Sequence, residues 1–497
     1  MNEIQYRNFA QYIVENSKTY RHKTAIITDV NNINYNDLID AFKSFAKKLT
    51  IKNIRPGDRV IICLDESVEW VVAFLACNFI GAVPVLTSTK MGTKVLTEII
   101  DVSKARAIIW DEHDHDMAQR LSITEFRKVE VNTYGIPLEQ WYDFDPDENC
   151  LWSTSSGTTG GKRKYIPHRH AAIYLGTQKV TESFKVNNSS IFYTTAKLSF
   201  LYGFNEMMLA LANNATAIIS NRAPVRETVL DIVKTHKVTH IWTTPTPVVH
   251  MIKHAEVTDA LESIVSLFCG GEPLPNDAAV NFQKIYNIPV LNGYGISEGM
   301  NIMCSQTPND QRLGTIGRPM PGVVCEVRRP DGTLSDVGEL GILYVKDPSS
   351  ALYYHNNWTR SKEVFRGDWI NTGDICFGDE NGYLIYVCRD DELVKVNGLF
   401  VTPTEIEEVL ISNDSIEECV VTSYRNRFGL NEIEAYIVPK KEANITISSI
   451  KEFLLLNIEA YKIPKTIRFV DRLPKTVTTK KIRNNRLIKE FYNEIMP

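Results

Sequence analysis

Along the first 390 or so residues, stretches with apolar positions at helical spacing alternate with short runs of apolar and β-branched side chains. These runs include DRVIICL (58–64), ARAIIW (105–110), ATAIIS (215–220), THIWTT (239–244) and IPVLNGYG (288–295). The alternation predicts an α/β fold, a large domain of mostly parallel sheets with helices. The longest apolar run, VVAFLACNFIGAVPVL (71–86), is interrupted by Asn78, Gly81 and Pro84 and is too short to cross a bilayer as one helix. It reads as a buried helix that ends near Gly81 and leads into a strand.

Between about 310 and 390 the pattern changes to closely spaced turns, RPDG (329–332), GELG (338–341) and DENG (379–382), which predict a β-rich subdomain. Beyond CRDDELVKVNG (388–398) a third pattern begins. Helices are expected at TPTEIEEVLIS and ISSIKEFLLLN, and strands near ECVVTSY and EAYIVPK. The division expected is a large N-terminal domain, 1–390, and a small, mobile α+β C-terminal domain, 391–497, joined by a charged hinge near Asp391. Residues 461–489 carry ten Lys or Arg and a single acid, Asp471, which is a solvated face or a basic segment able to close over an anion.

Composition narrows the function. The chain has 497 residues, 43% hydrophobic, enough for two or more domains. Its net charge of −5, from 55 basic and 60 acidic residues, offers no general field for nucleic acid or an anionic membrane, and neither is expected as a partner. Nine scattered cysteines without a Cys-x-x-Cys pair suit reduced thiols in the cytoplasm better than a disulfide frame or zinc site. The start, MNEIQYRNFAQYIVENS, is polar and helix-like, without the features of a secretory signal.

Candidate chemistry enters at STSSGTTGGKRKYIPHRH (153–170). Runs of Ser, Thr and Gly are often plain surface loops. This one is not a Walker loop, which would need Gly at Ser156 and a hydroxyl at Arg163. Its physics still suits a polyphosphate: glycines let successive N–H groups face one concavity, and Lys162, Arg163 and Lys164 supply charge.

Further motifs follow in order: GGEPLP (270–275), NGYGISEG (292–299), NTGD (371–374), CRDDELVKVNG and LPKTVTTKKIR (473–483). With SSGTTG (155–160), this series resembles the adenylate-forming superfamily of acyl- and aryl-CoA ligases, luciferases and peptide-synthetase adenylation domains, over nearly the whole chain. The resemblance implies that Ser155, Ser156, Gly157, Thr158, Thr159 and Gly160 wrap the phosphates of ATP. Thr158 and Glu298 would hold Mg²⁺ as hard oxygen ligands. Gly271, Glu272 and Pro273, with Asn292, Gly293, Tyr294, Gly295, Ile296 and Ser297, would enclose the nucleotide, Tyr294 offering a flat face to adenine. Asp374 is an acceptor-only carboxylate suited to the ribose hydroxyls, with Arg389 as a second contact. Lys480 would be catalytic beside Glu298, its ammonium stabilising the charge that builds as a carboxylate attacks the α-phosphorus. Ser297 stands where the superfamily usually has Thr, Thr479 where it usually has Gly, and Lys162-Arg163-Lys164 where it usually has Pro-Lys-Gly. Which of the three cations faces phosphate stays open.

AKLSFLYGFN (196–205) and DPSSALYYHNNWTRS (347–361) are similar to segments of benzoate-CoA ligases and related aryl-acid activators. Domains that select α-amino acids carry an Asp in the first segment, which here is aromatic and apolar. The resemblance therefore implies an aryl carboxylic acid held by Ala196, Phe200, Tyr202, Gly203 and Asn301. Asn301 stands where benzoate ligases tend to carry His, and Tyr294 where they tend to carry Ile. An added amide and phenol imply a ring with an amino or hydroxyl group, an anthranilate or hydroxybenzoate. Superfamily members then rotate the C-terminal domain so that a pantetheine thiol attacks the acyl-adenylate, with Asp391 at the hinge and Lys395 on the face turned inward. The acceptor expected is an aryl or peptidyl carrier protein of nonribosomal peptide synthesis or other secondary metabolism, with free CoA as the alternative. A catalytically idle nucleotide-binding scaffold is the contrasting reading, opposed by the joint presence of Glu298, Asp374, Arg389 and Lys480.

Overall fold

The computed structural model describes residues 8–111, 123–131, 135–155, 163–252, 259–390, 394–396, 399–426, 431–441, 443 and 445–473. Two mainly parallel sheets organise the first 320 or so of them. In one, Thr124–Arg127, Ala107–Trp110, Arg59–Cys63, Val83–Leu86, Asn149–Ser155 and Lys164–Arg169 lie in that order, parallel except for the last pair. The other has a parallel centre in the order Val290–Tyr294, Ser266–Cys269, His240–Thr243, Ile191–Thr194, Thr216–Ile219 and Thr24–Thr28, with short antiparallel strands at its edges.

Neighbouring residues of one strand enter different cores. Val60 and Ile62 join the largest core while Ile61 and Cys63 face a second; Ala217 and Ile219 join the largest while Ile218 faces a third. Both faces of each sheet are thus covered, which is why these strands read as continuous apolar runs. The layer between the sheets contains Val68–Phe79, every residue of which is buried except Glu69. Ser67 starts this helix by accepting from the Trp70 N–H at 3.3 Å. Gly81 follows its end at φ +78°, where a Cβ would come within 2.5 Å of the Tyr142 ring. The longest apolar run is therefore a central helix and the strand beside it, and no helix among the described residues is long and apolar enough to cross a membrane.

The β-rich part is an antiparallel sheet of Val324–Arg328, Gly341–Lys346 and Trp369–Gly378, with Phe365–Arg366 and Leu384–Arg389 both paired to the last. Further on, Ile416–Arg425, Asn431–Pro439 and Thr466–Phe469 form a three-stranded sheet. Its core includes Ile406 and Leu410 of the helix Pro403–Ile411, and Ile450 and Leu454 of Ile447–Asn457. This is the α+β unit expected, with a core of its own; Asp391 lies outside the described residues.

Three imidazoles are sealed into the large part. His168, His170 and His240 are at most 4% exposed, and burial pushes their pKa values down to about 3, 4 and 4, the nearby Glu298 carboxylate offsetting part of the effect at His168. The unfolded chain takes up these protons near the ordinary value of 6.5, whereas the folded chain excludes them until far lower pH. Stability present above pH 6.5 should therefore fall as the pH drops towards 4. His170 stacks on Phe144 at 4.9 Å, and neither of its nitrogens has a hydrogen-bond partner among the described residues, so phenylalanine can replace it. His170→Phe is expected to flatten the pH slope of urea-unfolding free energy near pH 5 by about 1.4 kcal/mol per pH unit. An unchanged slope would show that His170 titrates normally in the fold.

Candidate active site

Three of the predicted motifs, SSGTTG, GGEPLP and NGYGISEG, arise at the carboxyl ends of parallel strands, which such sheets deliver to one edge. Ser155 is the last residue of Asn149–Ser155, and Tyr294 the last of Val290–Tyr294. Gly270 and Gly271 follow Ser266–Cys269, next to that strand in the sheet. Close packing explains Gly293, where a Cβ would meet the Phe268 ring at 2.4 Å. Asn292 has a structural bond, its Nδ2 donating to the Thr315 carbonyl at 3.0 Å. Gly295, Gly271, Glu272 and Pro273 are exposed, with Ile296 and Ser297 half-buried beside them.

Two buried carboxylates lie at this edge. Asp374 is paired in register with Arg389 on the antiparallel strand beside it. Arg389 Nη1 donates to Asp374 Oδ1 at 2.9 Å and to the Thr372 carbonyl at 3.0 Å, while the Tyr294 hydroxyl donates to Asp374 Oδ2. The turn before it is held by its own side chains: Thr372 Oγ1 accepts from the Asp374 N–H at 3.1 Å and donates to the Leu343 carbonyl at 2.8 Å. Burial raises the pKa of Asp374, and Arg389 and Tyr294 offset only part of that rise.

Glu298 behaves in the opposite way. Lys164 Nζ reaches its Oε1 at 3.0 Å, and the Tyr354 hydroxyl donates to the same oxygen. Burial works against the charged form, but the Lys164 ammonium and the Tyr354 hydroxyl outweigh it and hold the pKa below the ordinary carboxylate value. Among the described residues, no side chain donates to Oε2. The backbone is also fixed: the Ala351 N–H donates to the Glu298 carbonyl at 2.8 Å, and the Met300 N–H to the Ser349 carbonyl at 3.1 Å. An open cleft of about 560 Å³, lined by Tyr353, Tyr354, Asn356, Asn357 and Trp358, lies beside this group.

The expected acyl region centres on the helix Leu201–Ala212. Tyr202 donates its hydroxyl to the Thr243 carbonyl at 2.9 Å and stacks on Trp242. Gly203 permits a close approach, since a Cβ there would meet the carbonyl oxygens of Lys197 at 2.5 Å and Ala196 at 2.8 Å. Phe200 is 36% exposed at the start of the helix. Asn205, on the same helix, donates to the Met300 carbonyl and so ties it to Asn301. Asn301 Oδ1 accepts from the Ile302 N–H at 2.8 Å, which fixes the amide orientation, and its buried Nδ2 has no partner among the described residues. The Tyr294 phenol, expected to read a ring substituent, is instead committed to Asp374.

Ser156, Gly157, Thr158, Thr159, Gly160, Lys162, Asp391 and Lys480 lie outside the described residues; Lys395 falls in the strand Val394–Val396. Tyr354 was missed in the sequence. It stands in a segment notable for its likeness alone, and its bond to Glu298 spans 56 positions.

The chain matches the AMP-binding enzyme family over residues 13–355 and the AMP-binding enzyme C-terminal domain over 405–480. It belongs to that family, and by class it is an AMP-forming acid–thiol ligase of the adenylate-forming superfamily. More particularly, it is 26% identical to benzoate–CoA ligase of Thauera aromatica over 92% of this chain and 91% of that protein. It is also 26% identical to 3-hydroxybenzoate–CoA ligase of Aromatoleum sp. strain CIB, over 94% and 93%. A benzoate CoA ligase structure from Burkholderia xenovorans LB400 superposes with a TM-score of 0.83 at 28% identity, covering 97% of this chain and 99% of that one.

Proposed function

We propose that this enzyme uses ATP and Mg²⁺ to convert an aryl carboxylic acid to its acyl-adenylate, releasing pyrophosphate, and then transfers the acyl group to a pantetheine thiol. The observation that carries the reading is the meeting of Tyr294, Asp374 and Arg389 from three separate motifs in one hydrogen-bonded group. Asp374 would take the ribose hydroxyls. Glu298 suits a divalent cation because its oxygen Oε2 takes no side-chain donor among the described residues and its pKa is held low. Magnesium, when bound, would neutralise charge on the ATP phosphates. Lys480 would meet the attacking carboxylate and the α-phosphate from the C-terminal domain, which turns about Asp391 and brings Lys395 inward for the thiol step. The domain division at 390 belongs to this proposal.

The acceptor thiol in this reading is free coenzyme A, supported by relatives that are CoA ligases. Transfer to a carrier protein, the expectation from the sequence, is the competing outcome of the test. For the acid, Asn301 sharpens the choice. Its oxygen is already engaged, so the ring should bring an acceptor to the amide N–H, a requirement that a hydroxyl meets better than an amino group.

Pyrophosphate exchange across benzoate, the hydroxybenzoates and anthranilate, followed by transfer to CoA and to a carrier protein, tests each part. A hydroxybenzoate is expected to give the highest kcat/KM. Asn301→Leu should reduce its advantage over benzoate about tenfold, the effect of one lost hydrogen bond. Equal use of benzoate and hydroxybenzoates by the native enzyme would remove the ring-reading role. Absence of exchange with every acid would favour a catalytically idle scaffold.

A further inference from the structure

Lys164 stands at the end of a basic run from which the sequence could not select a working residue. It is the first residue of the strand Lys164–Arg169, paired with Ser155, so its backbone is fixed by the sheet. Its side chain is 20% exposed and extends over the Tyr354 ring, with Nζ 5.1 Å from the ring centroid, 3.3 Å from the Tyr354 hydroxyl and 3.0 Å from Glu298 Oε1. A loop lysine free to solvate would not be held between an aromatic face and a buried carboxylate. Lys164 and Tyr354 share Oε1 of Glu298, and neither donates to its Oε2.

We propose that Lys164 is a built-in counter-cation for Glu298, neutralising it before nucleotide arrives and opposing the divalent ion once that ion takes Oε2. The inference rests on the reading of Glu298 as the metal ligand. Lys164 is in this sense a positioning residue: it keeps a buried carboxylate charged and oriented in the empty enzyme. It also weakens the affinity for the metal, because two cations then share one carboxylate. Mg²⁺ therefore binds with ATP rather than ahead of it, since the phosphates supply the negative charge that Lys164 cancels on the protein.

The test is a binding measurement on the full chain with a non-reactive ATP analogue, α,β-methylene-ATP, titrated at a series of Mg²⁺ concentrations. Lys164→Met retains the length of the side chain and removes its charge. It is expected to lower the Mg²⁺ concentration for half-maximal analogue binding on the order of tenfold. Affinity for AMP measured without metal should stay within about twofold of native, which also reports that the variant is folded. Lys164→Arg should restore the native Mg²⁺ dependence. An unchanged or higher Mg²⁺ requirement in Lys164→Met, with AMP binding intact, overturns the proposal, as does failure of Lys164→Arg to restore the native value. Glu298→Gln separates the two levels: if it leaves the Mg²⁺ dependence at the native value, Glu298 is not the metal ligand and the underlying reading fails. If Glu298→Gln raises the requirement while Lys164→Met does not move it, the Lys164 inference alone fails.

Discussion

Asp374→Ala is expected to weaken ATP binding by about two orders of magnitude and to abolish the enzyme's preference for ATP over 2′,3′-dideoxy-ATP. Two hydrogen bonds from ribose to a charged acceptor contribute roughly 3 kcal/mol or more, and both end on this side chain in the proposed site. The carboxylate is suited to receive them. It is 3% exposed, and its pKa stays raised because Arg389 and Tyr294 do not fully replace the water that burial removed. Further donors from a ligand would complete its hydrogen bonding. The comparison with the dideoxy nucleotide separates recognition from damage. A variant that is merely misfolded loses affinity for both nucleotides, whereas one that has lost its ribose acceptor binds them equally. If Asp374→Ala still prefers ATP, another group reads the sugar. The measurement is calorimetric titration of each nucleotide into native and variant enzyme.

Asp374 and Arg389 were legible in the sequence because their partnership is local. They lie on adjacent antiparallel strands joined by a short turn, so a 15-residue separation places them directly opposite each other. The parallel strands were legible for a related reason: burial on both faces removes polar positions, and runs such as THIWTT stand out. The central helix Val68–Phe79 was readable in the same way, since nearly all its residues are apolar.

The surroundings of Glu298 were less accessible. Its motif was visible, but its partners come from positions 164 and 354, on a strand of the other sheet and on a segment with no regular structure. No periodicity links such positions, because their contact depends on how two sheets and a connecting segment pack together. The basic run shows the limit well. Charge alone made Lys162, Arg163 and Lys164 equivalent, and nothing in it revealed that Lys164 pairs with Ser155 and reaches Glu298. Tyr294 shows the reverse error: its residue type suggested a phenol available to substrate, but a carboxylate 80 positions away had already engaged it.

Asp347→Ala is expected to destabilise the large domain by about 3–5 kcal/mol, although position 347 touches none of the proposed ligands. Lys179, inside the helix His170–Phe184, is 6% exposed in its side chain, and its Nζ lies 2.5 Å from Asp347 Oδ2 and 3.0 Å from Ser349 Oγ. Asp347 Oδ1 accepts from the Ser349 N–H at 2.9 Å and from its hydroxyl at 2.8 Å. Removing the carboxylate leaves a buried ammonium without its counter-charge, the costly half of a buried ion pair. The damage should extend to chemistry, because Ser349 accepts from Met300 and Ala351 donates to the Glu298 carbonyl. The same ion pair thus sets where the Glu298 carboxylate stands. Lys179→Met with Asp347→Leu removes both charges and should recover most of the lost stability, since apolar side chains can replace a buried pair at little cost. It cannot recover the Ser349 hydrogen bonds, so kcat should stay at least about tenfold below native while the folding free energy returns. Urea denaturation and pyrophosphate exchange on the native enzyme and the two variants distinguish these effects. A loss below about 1 kcal/mol in Asp347→Ala would mean that water reaches Lys179, and full activity in the double variant would mean that Glu298 is held from elsewhere.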